Sequence, residues 1–197
     1  MEPTDDVTAL ALAAGRGDRM ALSEFIRRTQ AEVWRFLART AGAETADDLT
    51  QETYLRVVAG LAGFEGRASA RAWLFTIARR VVVDAARHDA TRPRLVGLDP
   101  TDLALLQAGP TDPSSDLRLA RLLAILDPLR RDALVLTQLM GFSYTETAEI
   151  CGCPVGTVRS RVARARADLV AALAPETENT AIDPAGIAGG RVRVRQP

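Results

Sequence analysis

The chain has 197 residues and a hydrophobic content of 47%, which is enough for one or two globular domains with ordinary cores. Its 25 basic residues balance 25 acidic ones, so the overall charge alone does not predict a nucleic-acid partner. The acidic N-terminus lacks a secretory signal pattern, and no apolar run approaches the roughly 18 residues of a membrane span, so we expect a cytoplasmic protein.

Apolar residues at helical spacing predict three helices in the first third of the chain, and no alternating strand pattern is convincing. The first covers about residues 7–14. Asp18 is placed to cap the second, which runs to about residue 41, and the third covers about 45–61. The side chains predicted to face the core are Leu22, Phe25, Ile26, Val33, Trp34, Leu37, Leu49, Tyr54, Val57 and Val58.

A short loop with two glycines, residues 63–68, precedes a long helix predicted over 70–88. Ser69 is placed to cap this helix. Trp73, one turn in, either belongs to the core or braces the loop. The other residues predicted to face inward are Leu74, Ile77, Ala78, Val81 and Ala85.

The helical pattern stops after this helix. Residues 90–115 contain four prolines and no sustained period, which predicts a flexible linker between a first domain at 1–89 and a second at 116–174. The last segment, 175–197, is rich in Pro, Gly, Thr and Ala and is predicted to be a disordered tail.

The second domain begins with predicted helices over 116–126 and 128–140. Asp127 before Pro128 has the residue types of a helix cap followed by a first-turn proline. Glycine then ends the second of these helices.

A helix-turn-helix pattern follows. Ser143 and Glu146 form an S-x-x-E capping box, Gly152 lies in a tight turn, and Pro154 suits the first turn of the next helix. That helix carries an apolar stripe of Val155, Val158, Val162, Ala165 and Leu169.

The other face of the last helix carries hydroxyl and guanidinium groups, which suits the DNA major groove. An ordinary surface helix with a solvated arginine face is the alternative. It accounts for the arginines but not for the capping box and the turn glycine, so the pattern favours a recognition helix.

No catalytic or metal-binding set is recognisable. Cys151 and Cys153 flank the turn glycine, but two ligands without a nearby histidine do not complete a structural zinc site. We therefore interpret both as small core residues rather than redox groups. His88 has no Ser or Cys partner for catalysis, so we expect neither an enzyme nor a cofactor.

The order of these parts resembles the extracytoplasmic-function (group 4) sigma factors of bacterial RNA polymerase, in the sigma-70 family. The resemblance covers nearly everything from residue 22 to 173. The segment DDLTQETYLRV at 47–57 is similar to the family's core-binding helix, and FEGRASARAWLFTIARRVVVDAARH at 64–88 is similar to its promoter −10 segment. Residues 122–166 are similar to the −35-binding domain almost from end to end.

The resemblance implies an all-α fold of two small helical domains, joined by a flexible linker. The second would be a helix-turn-helix domain of the winged-helix-like, sigma region-four type.

The resemblance also implies a face on the third helix that binds core RNA polymerase. Its residues are Asp48, Gln51, Glu52 and Arg56. An acidic, partly amide face suits a basic protein partner, although without the family it would equally fit a solvated helix face.

The resemblance assigns −10 DNA binding to the loop and the long helix. The loop captures a flipped base in the family, and Phe64 and Gly66 supply an aromatic platform and an approachable backbone. Arg80 departs from the family, where asparagine is common; arginine holds phosphate but does not read a base edge as asparagine does. The full predicted set is Phe64, Glu65, Gly66, Arg67, Ser69, Arg71, Arg79, Arg80, Asp84 and Arg87.

Binding of the −35 element is assigned to the last helix. Its N-terminal residues are placed to touch the DNA backbone or thymine methyl groups, and its arginines are placed to contact phosphate or bases. The predicted set is Pro154, Val155, Thr157, Arg159, Ser160, Arg161 and Arg164.

The predicted function is that of an alternative sigma factor. It would bind core RNA polymerase, direct it to a two-part promoter and promote opening of the −10 strand. Its partners would be core RNA polymerase and promoter DNA; many relatives also bind an anti-sigma factor, but no residue here identifies one. The main alternative is a helix-turn-helix regulator that binds duplex DNA without polymerase, and an enzyme acting on nucleic acid is a more distant one.

Overall fold

The computed structural model describes residues 3–89 and 114–173, and within these ranges the chain is helical with no strand. The predicted all-α class is confirmed. The predicted tail, 175–197, lies outside the described residues. So does the predicted linker, except for residues 114 and 115, which already belong to a helix.

Four helices form the first domain: α1 (Pro3–Gly15), α2 (Arg19–Thr40), α3 (Ala43–Gly60) and α4 (Ala70–Asp89), with a 3₁₀ turn at Leu61–Gly63. Local chemistry explains where two of them begin. The Asp18 carboxylate accepts hydrogen bonds from the first backbone amides of α2, as predicted. Ser69 Oγ accepts from the backbone N–H of Ala72 at 3.1 Å at the start of α4.

Four helices also form the second domain: α5 (Ser114–Ile125), α6 (Pro128–Leu134), α7 (Tyr144–Cys151) and α8 (Val155–Leu173). Asp127 caps α6, accepting from the backbone amides of Leu129 and Arg130. The helix then widens into a π-helical turn at Val135–Leu139, which places Met140 N–H 2.9 Å from the carbonyl oxygen of Val135.

Aromatic packing dominates the core of the first domain. Phe25, Phe36 and Phe75 are fully buried, and the rings of Phe36 and Phe75 meet edge to face with centroids 5.3 Å apart. A buried hydrogen bond joins α2 to α3, where the hydroxyl of Tyr54 lies 2.7 Å from Thr29 Oγ1.

Two of the residues predicted to face the core are exposed. Trp34 is 38% exposed and Val58 is 49% exposed. The buried stripe of α2 passes instead through Val33, Phe36 and Leu37, which leaves Trp34 at its edge. There its indole N–H donates to Asp47 Oδ1 of α3 at 2.7 Å.

The two domains pack directly against each other. Helix α4 of the first lies on α7 of the second, and α2 contacts α5, α6 and the π-helical turn. Phe75 and Phe142 pack edge to face across this boundary, with centroids 4.9 Å apart, and Arg131 Nη1 donates to the carbonyl oxygen of Thr40 at 2.9 Å. The buried cores of the two domains are therefore continuous.

Candidate nucleic-acid and protein interfaces

The outer face of α3 carries the residues predicted to bind core polymerase. Asp48 and Gln51 are exposed and point away from the core. Leu55, one turn further along the same face, is 67% exposed. A large apolar side chain among polar ones is typical of a protein-binding surface, and sequence reasoning missed this residue.

The side chains of Glu52 and Arg56, which were predicted to bind polymerase, are already engaged in ion pairs within the protein. Arg56 Nε donates to Glu52 Oε1 at 2.7 Å, and its Nη1 donates to Asp84 Oδ2 of α4 at 2.6 Å. The hydrogen bond from Arg56 lowers the pKa of the Asp84 carboxyl. A residue predicted to bind polymerase is thus bonded to one predicted to bind −10 DNA.

This ion-pair network closes one side of a groove between α3 and α4, with a volume of about 410 Å³. Its floor is apolar, and its rim carries charged groups of both signs. The lining residues are Leu49, Glu52, Arg56, Val81, Asp84, Ala85, Arg87 and His88.

The loop between the 3₁₀ turn and α4 forms a second, smaller pocket of about 260 Å³, lined by residues 63–68 and Trp73. Phe64 is half-buried, and its ring lies against that of Trp73 with centroids 5.0 Å apart and an interplanar angle of 39°. Trp73 therefore braces the loop as well as packing on the core. Glu65 and Arg67 form an exposed ion pair on the rim.

Gly66 has a φ of +73°, a backbone conformation that favours glycine, so the turn of the loop depends on this residue. The pocket has the parts that capture of a flipped base requires: an aromatic ring, a second ring behind it and exposed backbone.

Apart from Asp84, which is bonded to Arg56, the predicted −10 residues at the start of α4 and along it fall into three groups. Arg80 and Arg87 are exposed, whereas Ser69 caps the helix. Arg71 and Arg79 point toward the second domain.

Arg71 binds both domains at once. Its Nε donates to the Glu32 carboxylate at 3.0 Å, and its Nη2 donates to the carbonyl oxygen of Met140. The guanidinium carbon lies 3.8 Å from the ring centroid of Phe142, a cation–π contact. The sequence did not predict that Arg71 joins the two domains, because its contacts in the second domain lie far away in the chain and no local motif indicates them.

Arg79 pairs with Asp132 of α6, its Nε lying 2.8 Å from Oδ2. Burial raises the pKa of the Asp132 carboxyl, while the charge of Arg79 opposes that shift. The same two charges act on Cys151, whose thiol pKa burial raises to about 11. Cys151 is thus a half-buried thiol near the domain boundary.

The helix-turn-helix has the capping box and the turn glycine that the sequence predicted. Ser143 Oγ accepts from the backbone N–H of Glu146 at 3.2 Å, while Glu146 Oε2 accepts from the backbone N–H of Ser143 at 2.9 Å. Gly152 ends α7 with a φ of +62°. Pro154 lies just before α8 rather than in its first turn, and its carbonyl oxygen accepts a hydrogen bond from the backbone N–H of Thr157 at 2.9 Å. Val158, Val162 and Ala165 of α8 are buried, as predicted.

The exposed face of α8 presents the arginines unequally. Arg159 and Arg164 are exposed and make no hydrogen bond or ion pair to other residues within the described ranges. Arg161 is half-buried, with Nη1 3.5 Å from Cys153 Sγ. Ser160 Oγ donates to the carbonyl oxygen of Thr157 at 2.9 Å, which leaves its lone pairs available.

The N-terminal end of α8 is accessible. Pro154 is exposed and Val155 is half-buried, so both lie where a duplex seated on the helix would reach them. The remaining predicted −35 residues differ in exposure: Ser160 is exposed, whereas Thr157 is half-buried.

Within the described part of the chain, no cluster of His, Cys, Asp and Glu could hold a metal ion. None of its helices combines the length and apolar character needed to cross a membrane.

Comparison with known proteins identifies both halves. The family description "Sigma-70 region 2" matches residues 25–92, and "Sigma-70, region 4" matches residues 116–169. The ECF RNA polymerase sigma factor SigC of Mycobacterium tuberculosis is 47% identical over 171 residues, which cover 86% of this chain and 92% of the relative. The sigma factor EcfG of Rhodopseudomonas palustris is 39% identical over 140 residues, or 70% of this chain and 76% of the relative.

Solved structures show the same architecture. The sigma factor RpoE of Bartonella quintana, crystallised with the anti-sigma factor NepR, gives a TM-score of 0.60 at 27% identity, covering 77% of this chain and 95% of that one. CnrH, solved with the cytosolic domain of CnrY, also gives 0.60 at 27% identity, covering 84% and 96%.

Proposed function

The chain belongs to the extracytoplasmic-function RNA polymerase sigma factors, alternative sigma factors that direct RNA polymerase, and from this premise we propose how its surfaces divide that work. The outer face of α3 binds core polymerase, the loop before α4 captures a −10 base, and α8 reads the −35 element. The protein itself supplies no catalysis; it is a transcription initiation factor.

The loop pocket is the observation that carries this proposal. A helix-turn-helix regulator that binds duplex DNA alone has no need of a half-buried phenylalanine braced by a tryptophan at an exposed loop. A sigma factor needs such a platform, because a flipped base must exchange its stacking in the duplex for contacts with protein. Phe64 can supply that stacking, and Trp73 holds its ring in place.

Promoter opening by the reconstituted holoenzyme tests the proposal. Phe64→Ala should slow open-complex formation on duplex promoter while binding of core polymerase stays intact, because stacking on an aromatic side chain is worth about 1–3 kcal/mol per base. Reactivity of −10 thymines with permanganate reports the opening. Val170→Ala, an exposed apolar truncation in the second domain, is the matched control.

A template with a pre-melted −10 bubble separates melting from capture. We expect it to recover only part of the Phe64→Ala defect, since the captured base still lacks its platform. If the Phe64→Ala variant and the wild type show equal permanganate reactivity on duplex promoter, the loop does not capture a base through Phe64.

The α3 face suits core polymerase because Asp48 and Gln51 are exposed and Leu55 adds an apolar contact. An acidic rim around an apolar residue complements a basic, partly apolar protein surface. Co-purification with core polymerase distinguishes this function from that of a stand-alone regulator, which would bind its duplex without polymerase.

An anti-sigma factor is a further partner that the solved relatives support, since RpoE was co-crystallised with the anti-sigma factor NepR and CnrH was solved in complex with the cytosolic domain of CnrY. Expression of the chain together with the product of the neighbouring gene, followed by pull-down, tests this partner. A complex that excludes core polymerase is the expected result.

A further inference from the structure

We propose that α1 is a positioning element for the base-capturing loop, acting through Thr8 and Leu12. This inference rests on the proposed function of that loop. Helix α1 contributes none of the residues that line the loop pocket, yet it contacts the chain before, within and after the loop.

After the loop, a residue of α1 caps the start of α4, although it lies 62 positions earlier in the chain. Thr8 Oγ1 accepts a hydrogen bond from the backbone N–H of Ala70, the first residue of α4, at 3.1 Å. The first amides of a helix have no partner within the helix, and Ser69 satisfies only that of Ala72. Thr8 therefore fixes the point where the loop becomes α4.

The contact within the loop is at its turn. A Cβ placed on Gly66 would lie 3.4 Å from Cδ1 and 3.5 Å from Cδ2 of Leu12, so the turn rests on the end of this side chain. The side chains on either side of this turn, Glu65 and Arg67, are exposed, so neither packs beneath it. Leu12 thus supports the loop from beneath.

The contact before the loop is a close approach of two backbones. A Cβ placed on Gly15 would lie only 2.5 Å from the carbonyl oxygen of Leu61, so the end of α1 lies directly against the 3₁₀ turn. Phe64 follows that turn, and its backbone N–H donates to the carbonyl oxygen of Leu61 at 3.0 Å.

These contacts bracket Phe64 and the pocket. A loop that is already held in its binding conformation loses less freedom when it captures a ligand, so the bound state is reached more readily. In this way α1 affects base capture without touching DNA.

The test uses the holoenzyme and the rate of open-complex formation on duplex promoter. Thr8→Val keeps the shape of the side chain but removes the acceptor, and we expect opening to slow by about five- to tenfold, as the loss of one helix cap would cause. Thr8→Ser restores the acceptor and should restore the rate. Asp6→Asn, which removes the ion pair of α1 with Arg28, is the matched control and should open as the wild type does.

A double-mutant cycle separates positioning from a merely structural role. If Thr8 acts through the loop, Thr8→Val combined with Phe64→Ala should open no more slowly than Phe64→Ala alone. Additive defects, or a Thr8→Ser variant as slow as Thr8→Val, would overturn the proposal. Leu12→Ala provides a second variant in which the same non-additivity is expected.

The two proposals fail in different ways. If Phe64→Ala slows opening and Thr8→Val does not, α1 has no positioning role, while the loop keeps its function. If neither variant slows opening, the loop does not capture a base, and both proposals fall.

Discussion

Arg79 of α4 and Asp132 of α6 form an ion pair across the boundary between the two domains, with a distance of 2.8 Å between Nε and Oδ2. Their side chains are only 14% and 7% exposed. Arg79 was predicted from the family resemblance to contact −10 DNA. With so little of its side chain exposed, Arg79 offers little surface to DNA while it is bound to Asp132.

We expect this pair to decide how firmly the domains pack. Removing one partner leaves the other buried and unpaired, which costs about 3–5 kcal/mol. Arg79→Asp and Asp132→Arg should each increase the radius of gyration measured by small-angle X-ray scattering, and the double exchange should bring it back toward the wild-type value. Arg80→Asp, at the exposed neighbouring position, is the control. Single variants as compact as the wild type would show that apolar contacts alone hold the domains together.

The fold could be predicted wherever the signal was local. Asp18, Ser69 and Asp127 each cap the helix that follows, because a side-chain oxygen needs only the next few amides. The capping box at Ser143 and the left-handed Gly152 likewise depend on short-range chemistry.

Predictions of which side chains face the core were wrong at the edge of the amphipathic stripe. Trp34 was predicted to be inside because of its place in the apolar pattern of the second helix, yet it lies at the edge of the stripe and donates to Asp47. Phe36 and Phe75 were not among the residues predicted to face inward, and their pairing depends on how α2 and α4 pack, which helical periodicity does not contain.

The sequence predicted the candidate sites where a local motif indicated them, but not the contacts between distant residues. Sequence reasoning selected the loop pocket around Phe64 and the exposed arginines of α8. It did not find Arg71 against Phe142, or Arg56 bonded to Asp84, because both contacts join residues far apart in the chain. Pairing over such distances depends on tertiary packing, which periodicity and motif spacing do not contain.

Association with core polymerase should depend on the two exposed polar residues of α3. Asp48→Arg together with Gln51→Arg should abolish co-purification, because the double variant places like charges against a basic partner. The melting temperature should barely change, since exposed substitutions usually alter stability by about 0.5 kcal/mol or less. Glu52 is a poorer choice, because its loss would also disturb the ion pairs of Arg56 with both helices.

Glu149→Arg is the control for this charge change, since it replaces an exposed acid on α7 of the second domain. If the double α3 variant pulls down core polymerase at wild-type levels, this face does not bind polymerase.

Cys151 should react slowly with alkylating reagents in the folded protein. Burial raises its thiol pKa to about 11, and only the thiolate is nucleophilic, so about one molecule in a thousand is reactive at pH 8. In a Cys153→Ser background we expect iodoacetamide to modify Cys151 roughly 100-fold more slowly than in urea, where the thiol regains an ordinary pKa. Mass spectrometry measures both rates. Equal rates would mean that the thiol is accessible and ionised in the folded chain.

Promoter −35 binding should depend more on Arg164 than on Arg161. Arg164 is exposed and has no partner among the described residues, whereas Arg161 is half-buried beside Cys153. In holoenzyme binding to labelled promoter, Arg164→Ala should cost about 1–3 kcal/mol and relax sequence preference if it reads a base. A phosphate contact would instead weaken all sequences alike and reduce the salt slope by about one.

Arg166→Ala is the matched control for that comparison. It removes an exposed arginine of the same helix that already donates to Gln138 Oε1 at 2.7 Å, so it should change DNA affinity little. Titrations at several salt concentrations, with the −35 element intact or scrambled, separate the two kinds of contact because only a base contact distinguishes the two sequences. If Arg164→Ala binds both promoters as the wild type does at every salt concentration, α8 does not face DNA through this residue, and the −35 surface must be sought nearer Pro154 and Thr157.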